Sequence, residues 1–171
     1  LKLKGYYHKN EGQGTWGTPY VNSPTGVPMS VRTTEYDMER LGLFGSLNAK
    51  LGAQEITLGG WYENNDFDQA RRFYAYASRT SAGLDHLKFM KNPFFTQWDI
   101  TFNTKTAQYY VEDSITLGDA TINLGWKGFS VDIAATPVVQ GGRTIGKVKT
   151  TDWFQPHAGL TIKLNPSVEA F

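Results

Sequence analysis

The residues best suited to chemistry lie in the run Arg71-Arg72-Phe73-Tyr74-Ala75-Tyr76, which sets two guanidiniums beside three aromatic rings. A guanidinium offers a planar fork of donors that matches carboxylate and phosphate oxygens, and it also stacks on aromatic faces. Arg71, Arg72, Tyr74 and Tyr76 are therefore the candidate ligand-contact residues, suited to an anionic or sugar-bearing small molecule. The competing role is structural. Arg71 and Arg72 would then pair with Asp66 and Asp68, or with lipopolysaccharide phosphates, while Tyr74 and Tyr76 prolong a strand.

Other chemistries find little support. The three histidines, His8, His86 and His157, show neither HExxH nor i, i+4 spacing, so no metal site is expected. Glu63, Asp66 and Asp68 suggest a calcium loop, but the run lacks the glycine that such a loop needs at its sixth position, and a solvated acidic loop is expected instead. Gln140-Gly141-Gly142-Arg143 is too short to cradle a phosphate and reads as a turn. Glu55 and Glu63 share a strand face, yet strand rise separates them by about 27 Å, too far for the paired carboxylates of a glycosidase. With no cysteine there is no thiol nucleophile, thiolate metal site or disulfide framework. The net charge of +1, without a basic run, gives no footprint for nucleic acid. No enzyme activity and no cofactor are expected.

These residues must be positioned by strands. Leu41, Leu43, Leu47, Ala49 and Leu51 share one parity, opposite Phe44, Ser46, Asn48 and Lys50. Ile56, Leu58 and Tyr62 stand against Glu55, Thr57, Trp61 and Glu63; Ile122, Leu124 and Trp126 against Thr121, Asn123 and Lys127; Leu160, Ile162 and Leu164 against His157, Thr161 and Lys163. Leu1, Leu3 and Tyr7 oppose Lys2, Lys4 and His8 in the first strand. Strand side chains alternate faces, so each segment carries one apolar face. The strand around Tyr109–Leu117 is less regular, because Asp113 falls on the apolar parity. It requires either a place near an interface or a bulge.

The connections alternate in length. About 30 polar residues separate His8 from Arg40, a tight turn at Gly52-Ala53-Gln54 follows, and a long segment runs from Asn65 to Thr104. Then come a turn at Gly118-Asp119, a loop over Asp132–Thr151 and a turn at Asn165-Pro166. Long loops at one end and tight turns at the other are the pattern of an outer-membrane β-barrel. Mean hydropathy is −0.42, and no stretch approaches the ~20 apolar residues of a helical span. Barrel strands, apolar only at alternate positions, need no such stretch. On the apolar parity Tyr7, Tyr62, Trp126 and Phe154 lie toward the long-loop ends, where an interfacial girdle belongs. The expected fold is all-β: residues 1–171 as about six to seven antiparallel strands of a transmembrane barrel, with long extracellular loops and short periplasmic turns.

The segments LKLKGYYHKNEGQGTW, SPTGVPMSVRTTEYDMERLGLFGSL, LGGWYENNDFDQARRFY, AQYYVEDSITLGDATINLGWKGFSVDI and FQPHAGLTIKLNPS together resemble the barrel of a TonB-dependent receptor, an outer-membrane active transporter. The resemblance implies a barrel of about 22 strands around an N-terminal plug. It also implies an outer-membrane location, contact with lipid and lipopolysaccharide, energy from the TonB complex, and a siderophore, cobalamin or carbohydrate as substrate. Plug and TonB box would lie upstream. Counting back by two from Phe171 gives Glu169, Ser167 and Asn165 where apolar residues should stand, so further strands are expected downstream. The alternative is a soluble lipocalin-like small-ligand binder, for which Gly14-Thr15-Trp16 supplies a G-x-W, although in a stretch read here as a loop.

Overall fold

The structure, a computed structural model, describes residues 1–80 and 88–171. His86 falls outside them. The described chain contains no helix. It forms one antiparallel sheet of seven strands in sequence order: β1 (Lys2–Thr18), β2 (Ser30–Leu51), β3 (Gln54–Ala75), β4 (Phe95–Leu117), β5 (Ala120–Val139), β6 (Gly146–Asn165) and the short β7 (Val168–Ala170). The sheet is open, and each strand pairs only with its neighbours in the chain. This is the all-β barrel wall expected from the alternation.

The strands are longer and the loops shorter than the polarity pattern suggests. Lys9–Thr18 and Ser30–Glu39 pair in unbroken register down to Thr18↔Ser30, which leaves a connection of residues 19–29 rather than one of about 30. Likewise β3 continues to Ala75 and β4 begins at Phe95, while β5 and β6 leave only residues 140–145 between them. In these upper halves each strand's backbone donors and acceptors are satisfied by the next strand, and the ladder needs no apolar face to persist. Gly14-Thr15-Trp16 accordingly lies inside β1, and the Asp66–Asp68 segment lies inside β3. The acidic loop expected there does not exist: Glu63 faces one side of β3 and Asp66 and Asp68 the other.

At the opposite end the turns are tight. Gly52 (φ 63°) and Gly118 (φ 61°) occupy the left-handed positions that let two-residue turns follow the strand twist. Near this end Asp113 pairs with Ile56 and Leu124 without a bulge. It therefore stands on the apolar face four residues from the end of β4, and its Oδ1 is buried without a partner.

One face of the turn-side half carries Leu43, Leu47, Leu58, Leu124 and Leu160, all exposed, with no second layer over them among the described residues. Above this band sits a belt of rings. Trp126 meets Phe154 edge-on at 5.1 Å, and Tyr109 stacks on Trp153 at 5.8 Å. A bulge near Phe154 brings both Trp153 and Phe154 into this belt, and the Trp153 carbonyl accepts from Tyr109 (2.6 Å) and Trp126 (2.9 Å). The other face is polar, and there rings lie across glycines of the neighbouring strand: Tyr6 over Gly42, Tyr36 over Gly12, Tyr110 over Gly59 and His157 over Gly125. Each glycine leaves room for the ring to lie flat and cover otherwise bare backbone.

Candidate ligand-binding site

Residues Arg71 to Tyr76 sit at the long-loop end of β3, and alternation divides them. Arg72 and Tyr74 project from the face that carries the leucines lower down. Arg71 and Phe73 project from the polar face. Tyr76 lies just past the strand, where its N–H donates to Ser23 Oγ (2.9 Å) and its carbonyl accepts from Thr25 Oγ1 (2.6 Å). It ties the 19–29 connection to β3. The structure therefore does not bring the four candidates into one site.

Arg72 and Tyr74 belong to a network centred on Glu35 of β2. The Glu35 carboxylate accepts from Gln13 Nε2 (2.9 Å), Thr33 Oγ1 (2.7 Å) and Tyr74 OH (2.7 Å), and it forms an ion pair with Arg72. The second arm of the Arg72 guanidinium reaches Asp99 of β4 at 2.5 Å. Arg72 thus pairs with acids of both flanking strands, not with Asp66 and Asp68. Asp66 instead accepts from Asn103 at 2.6 Å. Burial works against the charge on Glu35, but hydrogen bonds from Tyr74, Thr33 and Arg72 outweigh it and hold its pKa below the ordinary value. Burial and the neighbouring Glu35 carboxylate push the Tyr74 hydroxyl up. Beside the network lies a recess of about 570 Å³, with Phe89, Met90 and Lys91 along its rim and the Met90 N–H held by Gln13 Oε1 at 2.8 Å.

Arg71 has different company. Its guanidinium lies 5.5 Å from the centroid of Trp98, the residue opposite it on β4, and Arg143 lies 4.2 Å from the same ring. Arg32 of β2 stands 3.9 Å from the Trp16 ring, its partner on β1. Among the described residues none of these three arginines has an ion pair, and Arg32 Nε and Arg71 Nε are buried without a hydrogen-bond partner. Burial, then the charges of Arg32 and Arg143, lower the pKa of Arg71.

Local structure explains the placement. Trp98 stands across from Arg71 on the polar face because the β3–β4 register runs unbroken up to that pair, and the bulge at Gln97 begins only beyond it. The 140–145 connection folds against Gln97 and Trp98 and closes as a turn in which Arg143 N–H donates to Gln140 O (2.9 Å). Gly141 (φ 51°) allows that approach, since any side chain there would overlap the Gln97 carbonyl. The expected turn is present, and it positions Arg143. Sequence reasoning missed Trp16, Arg32, Glu35, Trp98, Asp99 and Arg143. Extending the strand parity of Leu41 up β2 would have separated Arg32 from Glu35, but nothing in the residues announces the bulge or the folded loop.

No protein-family model matches the chain, and no curated protein sequence matches it. Among solved structures, the crystal structure of the ferric citrate transporter FecA in the unliganded form is similar, at 16% identity and a TM-score of 0.65. The similarity covers 98% of this chain and 23% of the transporter, so the chain spans less than a quarter of that protein's length. At this identity the likeness is one of fold: seven antiparallel strands of a β-barrel wall.

Proposed function

We propose that the chain is part of the barrel of an outer-membrane TonB-dependent transporter, with its leucine-bearing face toward lipid and its polar face toward the lumen. The observation that carries this reading is the apolar band itself. A sheet in water must bury such a face under another layer, whereas here the leucines are exposed and bordered by a ring belt. A band one side of which is apolar, with aromatics at its margin, fits a bilayer. A strand needs about 10 residues to cross a bilayer, so the upper halves of β2 to β5 would stand above it. Asp113 would lie near the periplasmic boundary, where a carboxylate is tolerated.

In this reading the chain carries no reaction. It supplies lumen wall and extracellular contacts for a small-molecule substrate, while plug and TonB complex act through other parts of the protein. The likeness to a ferric citrate transporter supports transport as the task and leaves the cargo to be identified.

Expression of the complete protein followed by membrane fractionation tests the reading. The expected result is an outer-membrane protein whose mobility on gels changes on heating. Single-tryptophan variants retaining Trp126 or Trp153 should be quenched by brominated lipid, and one retaining Trp98 should not. A monodisperse β-rich monomer in detergent-free buffer would overturn it in favour of a lipocalin-like binder.

A further inference from the structure

We propose that Arg32, Arg71 and Arg143 form an oxyanion-binding site on the polar face at the long-loop rim, for a small molecule bearing clustered carboxylate or phosphate groups. The other two arginines of the strands, Arg40 and Arg72, each stand beside a carboxylate. These three do not. Two of the guanidiniums share the single ring of Trp98, which holds like charges together without compensation. Partial burial makes that arrangement more unfavourable, and Arg32 Nε and Arg71 Nε lack even a neutral acceptor.

Stacking explains how the cations are held but not what they are for. An indole engages the flat face of a guanidinium and leaves its edge N–H groups free. Those edges are the forks that bind carboxylate or phosphate through paired hydrogen bonds. A single charge would satisfy one fork, so two arginines at one ring and a third on the adjacent strand suit a ligand with several anionic groups. Phe73, its ring tilted against Phe95 at 5.4 Å, lies between the β2 and β4 contributions and gives the site an apolar floor. Trp98 and Phe73 are 3% and 4% exposed, so the site is anchored on rigid rings, while Arg143 is exposed and supplied by a loop.

The proposal rests on the transporter reading only in taking the polar face as the lumen. Its test uses the complete protein in detergent micelles at fixed ionic strength, with calorimetric titration of three probes: tricarballylate, inorganic pyrophosphate and uncharged maltose. Saturable binding of either anion, weakened at least tenfold in Arg71→Gln/Arg143→Gln, is expected. Arg143→Gln alone, at an exposed loop position, should fold normally and lose part of the affinity. Tricarballylate alone binding would assign the site to carboxylates, and pyrophosphate alone to phosphates. Binding of neither anion, binding unchanged in the variants, or equal binding of maltose would overturn the proposal. A protein that inserts as a barrel yet binds neither anion removes this site and leaves the transporter reading. One that is soluble yet binds anions through these arginines does the reverse.

Discussion

Arg71 and Arg72 are consecutive in the chain and face opposite sides of β3, one stacked beside Trp98 and the other clamped between Glu35 and Asp99. The two arginines therefore differ in what their removal does. Arg72→Met would leave two largely buried carboxylates without their cation, their side chains being 16% and 15% exposed. A fully buried pair broken this way costs about 3–5 kcal/mol, and partial solvation should reduce that to about 2 kcal/mol. Arg71→Met removes an uncompensated charge and should leave stability unchanged or raised. Unfolding midpoints in detergent decide the matter. Equal losses in both variants would mean that Arg71, too, has a structural task.

The same network sets an acid sensitivity. The folded-state pKa of Glu35 lies below its ordinary value of 4.5, so the unfolded chain binds the proton more readily. The stabilisation is therefore fully present above that value and is lost as pH falls through the lower folded pKa. Between roughly pH 6 and roughly pH 3 the wild type should lose more stability than Glu35→Gln, and the gap between them should narrow on acidification. A gap that stays constant across this range would show that the Glu35 charge does not contribute.

Packing of rings over glycines makes a further prediction. A methyl group on Gly42 would overlap the Tyr6 ring, whose hydroxyl donates to Glu63 (2.6 Å) and accepts from Trp61 (2.9 Å). Gly42→Ala must swing that ring away and break both contacts, at about 1–3 kcal/mol. Gly159→Ala meets nothing within 4 Å and should be neutral. Thermal midpoints of the two variants, with Trp61 fluorescence reporting the hydrogen bond, would show the difference. Equal midpoints would mean that the ring has another place to lie.

Half of each strand was legible in the residues. From Leu41 to Leu51 or Ile56 to Tyr62 an apolar face opposes a polar one, the alternation that lipid on one side and water on the other would enforce in the proposed barrel. Toward the long-loop end polar residues stand on both parities even where they are buried, as Thr33 is, so no alternation shows and Thr33, Thr34 and Glu35 read equally well as loop. The backbone ladder persists there regardless. The candidate site shared this fate. Arg71 and Arg72 stood out by composition, but their division between faces follows from β3 running on to Ala75. Trp98 faces Arg71 once the β3–β4 register is carried up from the turn, but Arg143 joins it through a loop that folds back and has no local signature.

That loop carries the last prediction. Gly141 adopts φ 51° and packs against the Gln97 carbonyl and Trp98 Cβ, so it fixes where Arg143 lands. Gly141→Ala adds a left-handed backbone penalty of about 1–2 kcal/mol and forces the loop off β4. Arg143 then leaves the Trp98 ring, and affinity for a multivalent anion should fall about as far as in Arg143→Gln. Gly142, at φ 75° with open space around it, separates the two effects. Gly142→Ala carries the same backbone penalty without the collision, and it should keep most of the affinity. Titration of both variants with the same anion checks this, together with Trp98 fluorescence as a report of the stacked guanidinium. If Gly141→Ala binds like the wild type, Arg143 reaches the anion without the docked loop, and the loop's contact with Gln97 serves the fold alone.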